Sequence, residues 1–225
     1  MSFRKEKRGL VGRQNVALLQ TLAVLYLYLS ILLGRDRDGD HHQQETGIRH
    51  YLTSALGVVY VLRCNLMLRW LLPRAVSKEE IYFVFPVFLP VVLLSLAKGA
   101  KDVEREVTTV EALVALGLYA AGSWLSTRSE WQRKAWKERR ENRGKCYTEG
   151  LFALSRNPNY LGDVVLFSGW ALATGRWWTW WVPLFMGLSF VFYHIPEKEA
   201  YLASRYKAQW PAYKARTKAL LPYIH

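Results

Sequence analysis

The sequence predicts an all-α, polytopic membrane protein with about six transmembrane helices and a cytoplasm-facing amphipathic helix. Three observations carry that prediction. Apolar runs recur at residues 15–34, 50–72, 81–98, 108–127, 160–175 and 177–194, each close to the ~20 residues a helix needs to cross hydrocarbon. Trp (10) and Tyr (13) are many for a water-soluble core of 225 residues, and they suit the two bilayer interfaces where amphipathic rings collect. The chain has 31 Lys+Arg against 18 Asp+Glu, and six spans place most of those basic residues on the side that holds both termini.

The elements follow in order. Residues 1–14 form a basic tail ahead of the first span, and residues 15–225 form a single transmembrane domain. The run from Asn15 to Gly34 is longer than a signal-peptide core and lacks a small-residue cleavage site, so it reads as an uncleaved helix. The second run carries Arg63 and Arg69, which are about 600° apart around a helix and so lie well off one another's face. Arg69, close to Pro73, reaches the headgroups, whereas Arg63 with Asn65 sits deeper, where an ionisable group is costly. The fourth run continues past Arg128, where Trp131 and Ala135 mark a narrow apolar stripe beside Lys134, Lys137 and Arg140, the pattern of an interfacial amphipathic helix. It turns at Asn142 to Lys145, where Gly144 permits a positive φ. Only Gly175 and Arg176 divide the last two runs.

Several function classes drop out. A formal charge of +13 suits nucleic acid or an anionic membrane, but its one-sided placement is explained by topology and lipid contact, so no nucleic-acid partner is expected. Cys64 and Cys146 are too far apart for a paired metal or redox motif. There is no dinucleotide G-x-G-x-x-G after a strand, no Walker loop and no nucleophile elbow. His41 and His42 sit in an acidic, solvated loop, and no metal site is expected there; His194 reads as an interfacial cap.

One stretch stands out, SRNPNYLGD at 155–163, immediately before an apolar helix. Pro158 suits the first helical turn, Asn157 its cap, and Asp163 the positive end of the helix. That leaves Arg156, Asn159 and Tyr160: a guanidinium fork, an amide and a phenol on adjacent turns. With Lys134 and Lys137 they make a polar site suited to a phosphate-bearing ligand at the membrane surface.

The segment SEWQRKAWKERRENRGKCYTEGLFALSRNPNYLGD resembles the C-terminal signature of the steroid 5-alpha-reductase-like membrane oxidoreductases, within a signature region of 122–225. Weaker likeness extends upstream to VVYVLRCNLMLRW and downstream to AYLASRYKAQWPAYKARTKALLPYI. The resemblance implies a membrane reductase that holds NADPH and transfers a hydride to a double bond of a lipophilic, steroid-, enone- or lipid-like substrate. It further implies cofactor contacts from Glu130, Lys134, Lys137, Arg156, Asn159, Tyr160, Asp163 and Tyr201, and assigns no catalytic residue. The sequence departs from the family pattern at Asn157, where His is usual, at Ser126, where Glu or Asn is usual, and at Glu130, where Asp is commoner. Dinucleotide binding is therefore better supported than turnover.

Isoprenylcysteine and phospholipid methyltransferases share a related motif followed by paired glutamates. Here Glu197 and Glu199 are separated by Lys198, so an S-adenosylmethionine-dependent methyltransferase is the second reading. A non-catalytic accessory subunit of a larger membrane complex is the third. The expected setting is an endomembrane or organelle membrane, with the lipid bilayer as partner and the termini on the cytosolic, basic side.

Overall fold

The computed structural model describes residues 2–33, 47–71, 80–103 and 105–223, with side chains of the first helix described from Asn15 to Ile31. His41, His42, Pro73, Arg74 and Lys78 lie outside the described residues. The described residues form α-helices joined by short turns: α1 (Ser2–Leu33), α2 (Ile48–Leu66), α3 (Leu89–Lys101), α4 (Thr109–Glu138), α5 (Leu151–Leu154), α6 (Pro158–Thr174), α7 (Trp181–Ser189), α8 (Ile195–Arg205) and α9 (Trp210–Arg216). π-helical turns extend α2 through Met67–Leu71, precede α3 over Glu80–Phe88, and join α7 to α8 over Phe190–His194. No strand forms among the described residues; a lone bridge pairs Ser155 with Lys218.

Among the described residues three helices are long and apolar enough to cross a membrane: Ile48–Leu71, Glu80–Lys101 and Thr109–Glu138. They coincide with the second, third and fourth expected runs. The apolar part of α1, Asn15–Ile31, is shorter, and its helix begins at Ser2, well ahead of the expected start. The fifth run is the 17-residue α6, and the sixth is divided among the 3-10 turn Trp177–Trp180, α7 and the π turns.

The chain divides into two compact units, Met1–Ala115 with Trp170–Thr179, and Leu116–Gly169 with Trp180–His225. In the first, α3 buries Val92, Leu93 and Leu96 at helical spacing. Trp170 is fully buried, with Tyr28 edge-on at 5.8 Å and Tyr60 tilted at 5.6 Å. The Tyr28 hydroxyl donates to the Thr53 carbonyl at 2.6 Å, which satisfies the polar end of a buried ring. Within the apolar spans, Asn65 Nδ2 donates to Thr21 Oγ1 at 3.1 Å and to the Val61 carbonyl at 2.8 Å, and Gln20 donates to the Ile81 carbonyl at 3.0 Å in the π turns. Arg63 is half-buried over the Tyr60 ring at 5.5 Å, whereas Arg69 is exposed.

Arg49 is the anchor of this unit. Only 2% exposed, it donates through Nη1 to the Ala173 carbonyl at 2.8 Å, through Nε and Nη2 to the Arg105 carbonyl, and pairs with Glu111 at 3.4 Å. Gly175, at φ 72°, passes so close that an added Cβ would lie 2.7 Å from the Arg49 guanidinium carbon.

In the second unit, α4 and α6 cross at their backbones. A Cβ on Gly122 would lie 2.7 Å from Leu166 Cα, and one on Gly162 would lie 2.8 Å from the Gly122 carbonyl oxygen and 2.9 Å from Ser126 Cβ. Small residues at such a crossing let helices approach without a hydrophobic wedge between them. Ser126 thereby gains a packing explanation, because it is 2% exposed and its small side chain lies where Gly162 passes. α4 runs unbroken from Thr109 to Glu138, and the chain then turns where Lys145 N bonds the Asn142 carbonyl, with Gly144 at φ 76°. Tyr206, Trp210 and Tyr213 bury a small cluster with Cys146 near the C-terminal end.

Candidate functional site

The SRNPNYLGD stretch is where the second unit ties its distant parts together. α6 begins at Pro158, as proline's fixed φ and missing N–H favour. Asn157 does not serve as the side-chain cap expected from the sequence. Its Nδ2 is drawn to the Ala219 carbonyl at 2.8 Å, its backbone N–H donates to Ser155 Oγ at 3.1 Å, and its Oδ1 is buried without a hydrogen-bond partner. Ser155 Oγ also donates to the Leu220 carbonyl at 2.7 Å, and Arg156 N to the Lys218 carbonyl at 2.9 Å. Residues 155–157 are thus laced to 217–220 by backbone and side chain alike.

Arg156 completes the lacing. It is 8% exposed, its Nε donates to Glu199 Oε1 at 2.8 Å, and its Nη1 donates to the Lys214 carbonyl at 3.1 Å and to the Thr217 carbonyl. Such a fork is committed to internal partners, so Arg156 braces the site. Glu199 also receives Lys214 at 3.2 Å.

Around this brace lies a cluster of charges from three helices. On α4, Glu130 is buried and paired with Arg133 one turn later. On α6, Tyr160 stacks on Phe190 with ring centres 4.4 Å apart and planes 10° from parallel. On α8, the half-buried Lys198 sets its ammonium 4.9 Å above the Tyr160 ring centre. Burial pushes the Lys198 ammonium down to about 8, against the pull of Glu130 and Glu199 and with the push of Arg133. Among the described residues, Lys198 Nζ has no hydrogen-bond or ion-pair partner; both neighbouring carboxylates are held by arginines. Asn159, one residue before Tyr160, carries a second unsatisfied buried acceptor in its Oδ1.

The sequence-predicted residues divide into those that converge and those that do not. Tyr160 lies under the Lys198 ammonium, which also feels the charge of Glu130, and Asn159 is the residue before Tyr160 on α6. Asp163 is half-buried one turn further along α6. Lys134 is held by Glu138 at 2.5 Å on its own helix. Lys137 is exposed and donates to Tyr206 Oη at 2.6 Å, the ammonium keeping further N–H groups for a ligand. Tyr201 is 55% exposed and accepts from Arg205 Nη1 at 2.7 Å, so its hydroxyl is turned to its own helix.

Lys198 is the residue that sequence reasoning missed. Flanked by Glu197 and Glu199, it reads as part of a solvated charge run, and its signal was its place three residues before Tyr201 on the same helical side. Among the described residues no group of three or more His, Cys, Asp or Glu stands ready to hold a metal.

A family model described as "Protein of unknown function (DUF1295)" matches residues 64–217. A steroid 5-alpha-reductase, DET2, of Gossypium hirsutum is 28% identical over 120 residues, covering 50% of this chain and 42% of that protein. A probable O-methyltransferase, ustE, of Ustilaginoidea virens is 43% identical over 58 residues, covering 26% of this chain and 20% of that protein. The chain thus spans less than half the length of either curated relative.

Proposed function

Since the chain belongs to the DUF1295 family, which is the steroid 5-alpha-reductase-like family, we propose that it is a membrane NADPH-dependent reductase that passes a hydride to a double bond of a lipophilic substrate. In this reading all six apolar runs cross or enter the bilayer, both termini face the cytosol, and the α4 extension from Arg128 to Glu138 lies at the interface.

The observation that carries the reading is the Lys198 ammonium over the Tyr160 ring, one residue along α6 from an Asn159 oxygen without a hydrogen-bond partner. A dinucleotide needs acceptors for its sugar and carboxamide hydrogens and donors for its phosphates, and both kinds of group stand unfilled in this one region. The residues present therefore fit the cofactor. Asn159 offers an unfilled acceptor and Lys137 a cation with further N–H groups, and Lys134, Tyr160 and Asp163 are the contacts the family resemblance assigns. Glu130 fixes Arg133 in place, and Arg156 and Glu199 hold the brace. When bound, NADPH supplies the hydride; the protein's part is to fix the nicotinamide end, exclude water and keep the local charge balanced.

Binding in detergent tests the proposal. Wild type is expected to bind NADPH with quenching of Trp fluorescence, and Asn159→Ala with Lys137→Ala is expected to weaken binding at least about tenfold, the scale of two lost polar contacts. Failure of wild type to bind NADPH overturns the reading. A second reading, methyl transfer from S-adenosylmethionine, draws on the 43% identity to a probable O-methyltransferase, and tight binding of that ligand in the same assay would select it.

A further inference from the structure

We propose that Lys198 is a phosphate-binding group, its ammonium taking non-bridging oxygens of a bound nucleotide's phosphates. The inference deepens the reductase reading and rests on it for the identity of the nucleotide.

The argument begins with what surrounds the ammonium. Three helices bring charges to it: Glu130 and Arg133 from α4, Tyr160 from α6, and Glu199 from its own helix. Each carboxylate is already engaged, Glu130 by Arg133 and Glu199 by Arg156 and Lys214. The ammonium is left with the Tyr160 ring face at 4.9 Å and three N–H donors that no described residue accepts. Half-buried, this ammonium has only water to meet its N–H groups, and an anion arriving at the site can replace that water. A structural lysine would have been given one of those two carboxylates.

Charge points to the missing group. Arg133, Arg156, Lys198 and Lys214 stand against Glu130 and Glu199, so the cluster carries two positive charges more than it neutralises. Anionic oxygens would balance them. A phosphate also offers several acceptors to a tetrahedral donor, which an ammonium on a flexible stem meets as a point charge. The lowered Lys198 ammonium supports the geometry, since a site that had already found its counter-charge would hold its proton as tightly as a free lysine.

Calorimetric titration at pH 8 in two buffers of different ionisation enthalpy reads both affinity and proton exchange. Lys198 is about half protonated there, and an arriving phosphate should draw in a fraction of a proton per site. Wild type is expected to bind NADPH with that uptake. Lys198→Met should lose at least about tenfold in affinity, together with the uptake. Lys198→Arg, charged at every accessible pH, should keep most of the affinity without the uptake, and so serves if the Met variant folds poorly. Equal affinity and equal uptake in wild type and both variants would overturn the inference and leave the reductase reading standing. Two further probes separate the sources of phosphate. If NADPH fails while inorganic pyrophosphate or short-chain phosphatidylglycerol binds with Lys198-dependent uptake, the phosphate site stands and the dinucleotide reading falls. If none of the three binds in a Lys198-dependent way, the inference is wrong.

Discussion

Arg49, buried, and Lys198, half-buried, are cations of different compact units, and the chain treats them in opposite ways. Around Arg49 it supplies the carbonyls of Ala173 and Arg105 and the carboxylate of Glu111. Around Lys198 it supplies an aromatic face and two carboxylates that arginines have already taken. A buried charge whose every direction is answered from within holds a fold together; one left unanswered waits for something from outside. The difference separates structural from ligand-facing charge by bookkeeping of partners rather than by residue type.

The sharpest way to break the comparison is to remove the answered charge. Arg49→Met should cost about 2–4 kcal/mol, because it orphans the Ala173 and Arg105 carbonyls and leaves Glu111 to Arg105 alone. Thermal unfolding in detergent would show it, and a loss below about 1 kcal/mol would mean that Arg49 is no anchor. Gly175→Ala is a milder assault on the same point. It forces φ 72° on an alanine and pushes a methyl toward the guanidinium, for a loss of about 1–3 kcal/mol in the same measurement.

The unanswered charge should give the smallest effect on stability, and one that depends on pH. A lysine whose folded value is about 8 binds its proton less tightly than the unfolded chain does between pH 8 and 10, so the unfolded state holds more protons there. Stability from this group therefore rises as pH climbs from about 8, against a constant deficit below. Burial raises the Cys146 thiol and the Tyr147 and Tyr213 phenols, which gives the opposite slope above pH 9. The clean quantity is the difference between wild type and Lys198→Met in chemical denaturation at pH 7 and pH 9. Met should be the more stable at pH 7, with the gap narrowing at pH 9. A gap independent of pH would remove the case for a desolvated ammonium.

The same contrast shows what the sequence could and could not reveal. Hydrophobic runs dictate helices through local composition, so Ile48–Leu71, Glu80–Lys101 and Thr109–Glu138 were legible, as was the start of α6 at Pro158. The region of the site was legible too, through its motif, because polar residues ahead of a greasy helix need a reason. Partners some sixty residues away were not, since nothing local tells Asn157 that Ala219 will claim its amide, or Lys137 that Tyr206 will accept its hydrogen bond. Ser126 looked like a departure from a pattern until the Gly122 and Gly162 crossing gave its smallness a purpose. Lys198 stayed hidden because burial of an ammonium is a property of three helices at once.

The lacing of residues 155–157 to 217–220 also has a consequence for how the protein is made. A ribosome delivers the motif long before it delivers the segment that bonds Ser155, Arg156 and Asn157. Until then Arg156 has neither Glu199 nor the Lys214 and Thr217 carbonyls to hold it. The nascent chain can settle its membrane helices early, but the polar region matures only when the last segment has emerged and folded back. Assembly of the site thus works as a final inspection of the whole second unit, and a chain that stalls short of residue 217 would be recognisable to quality control by an arginine still looking for its carbonyls.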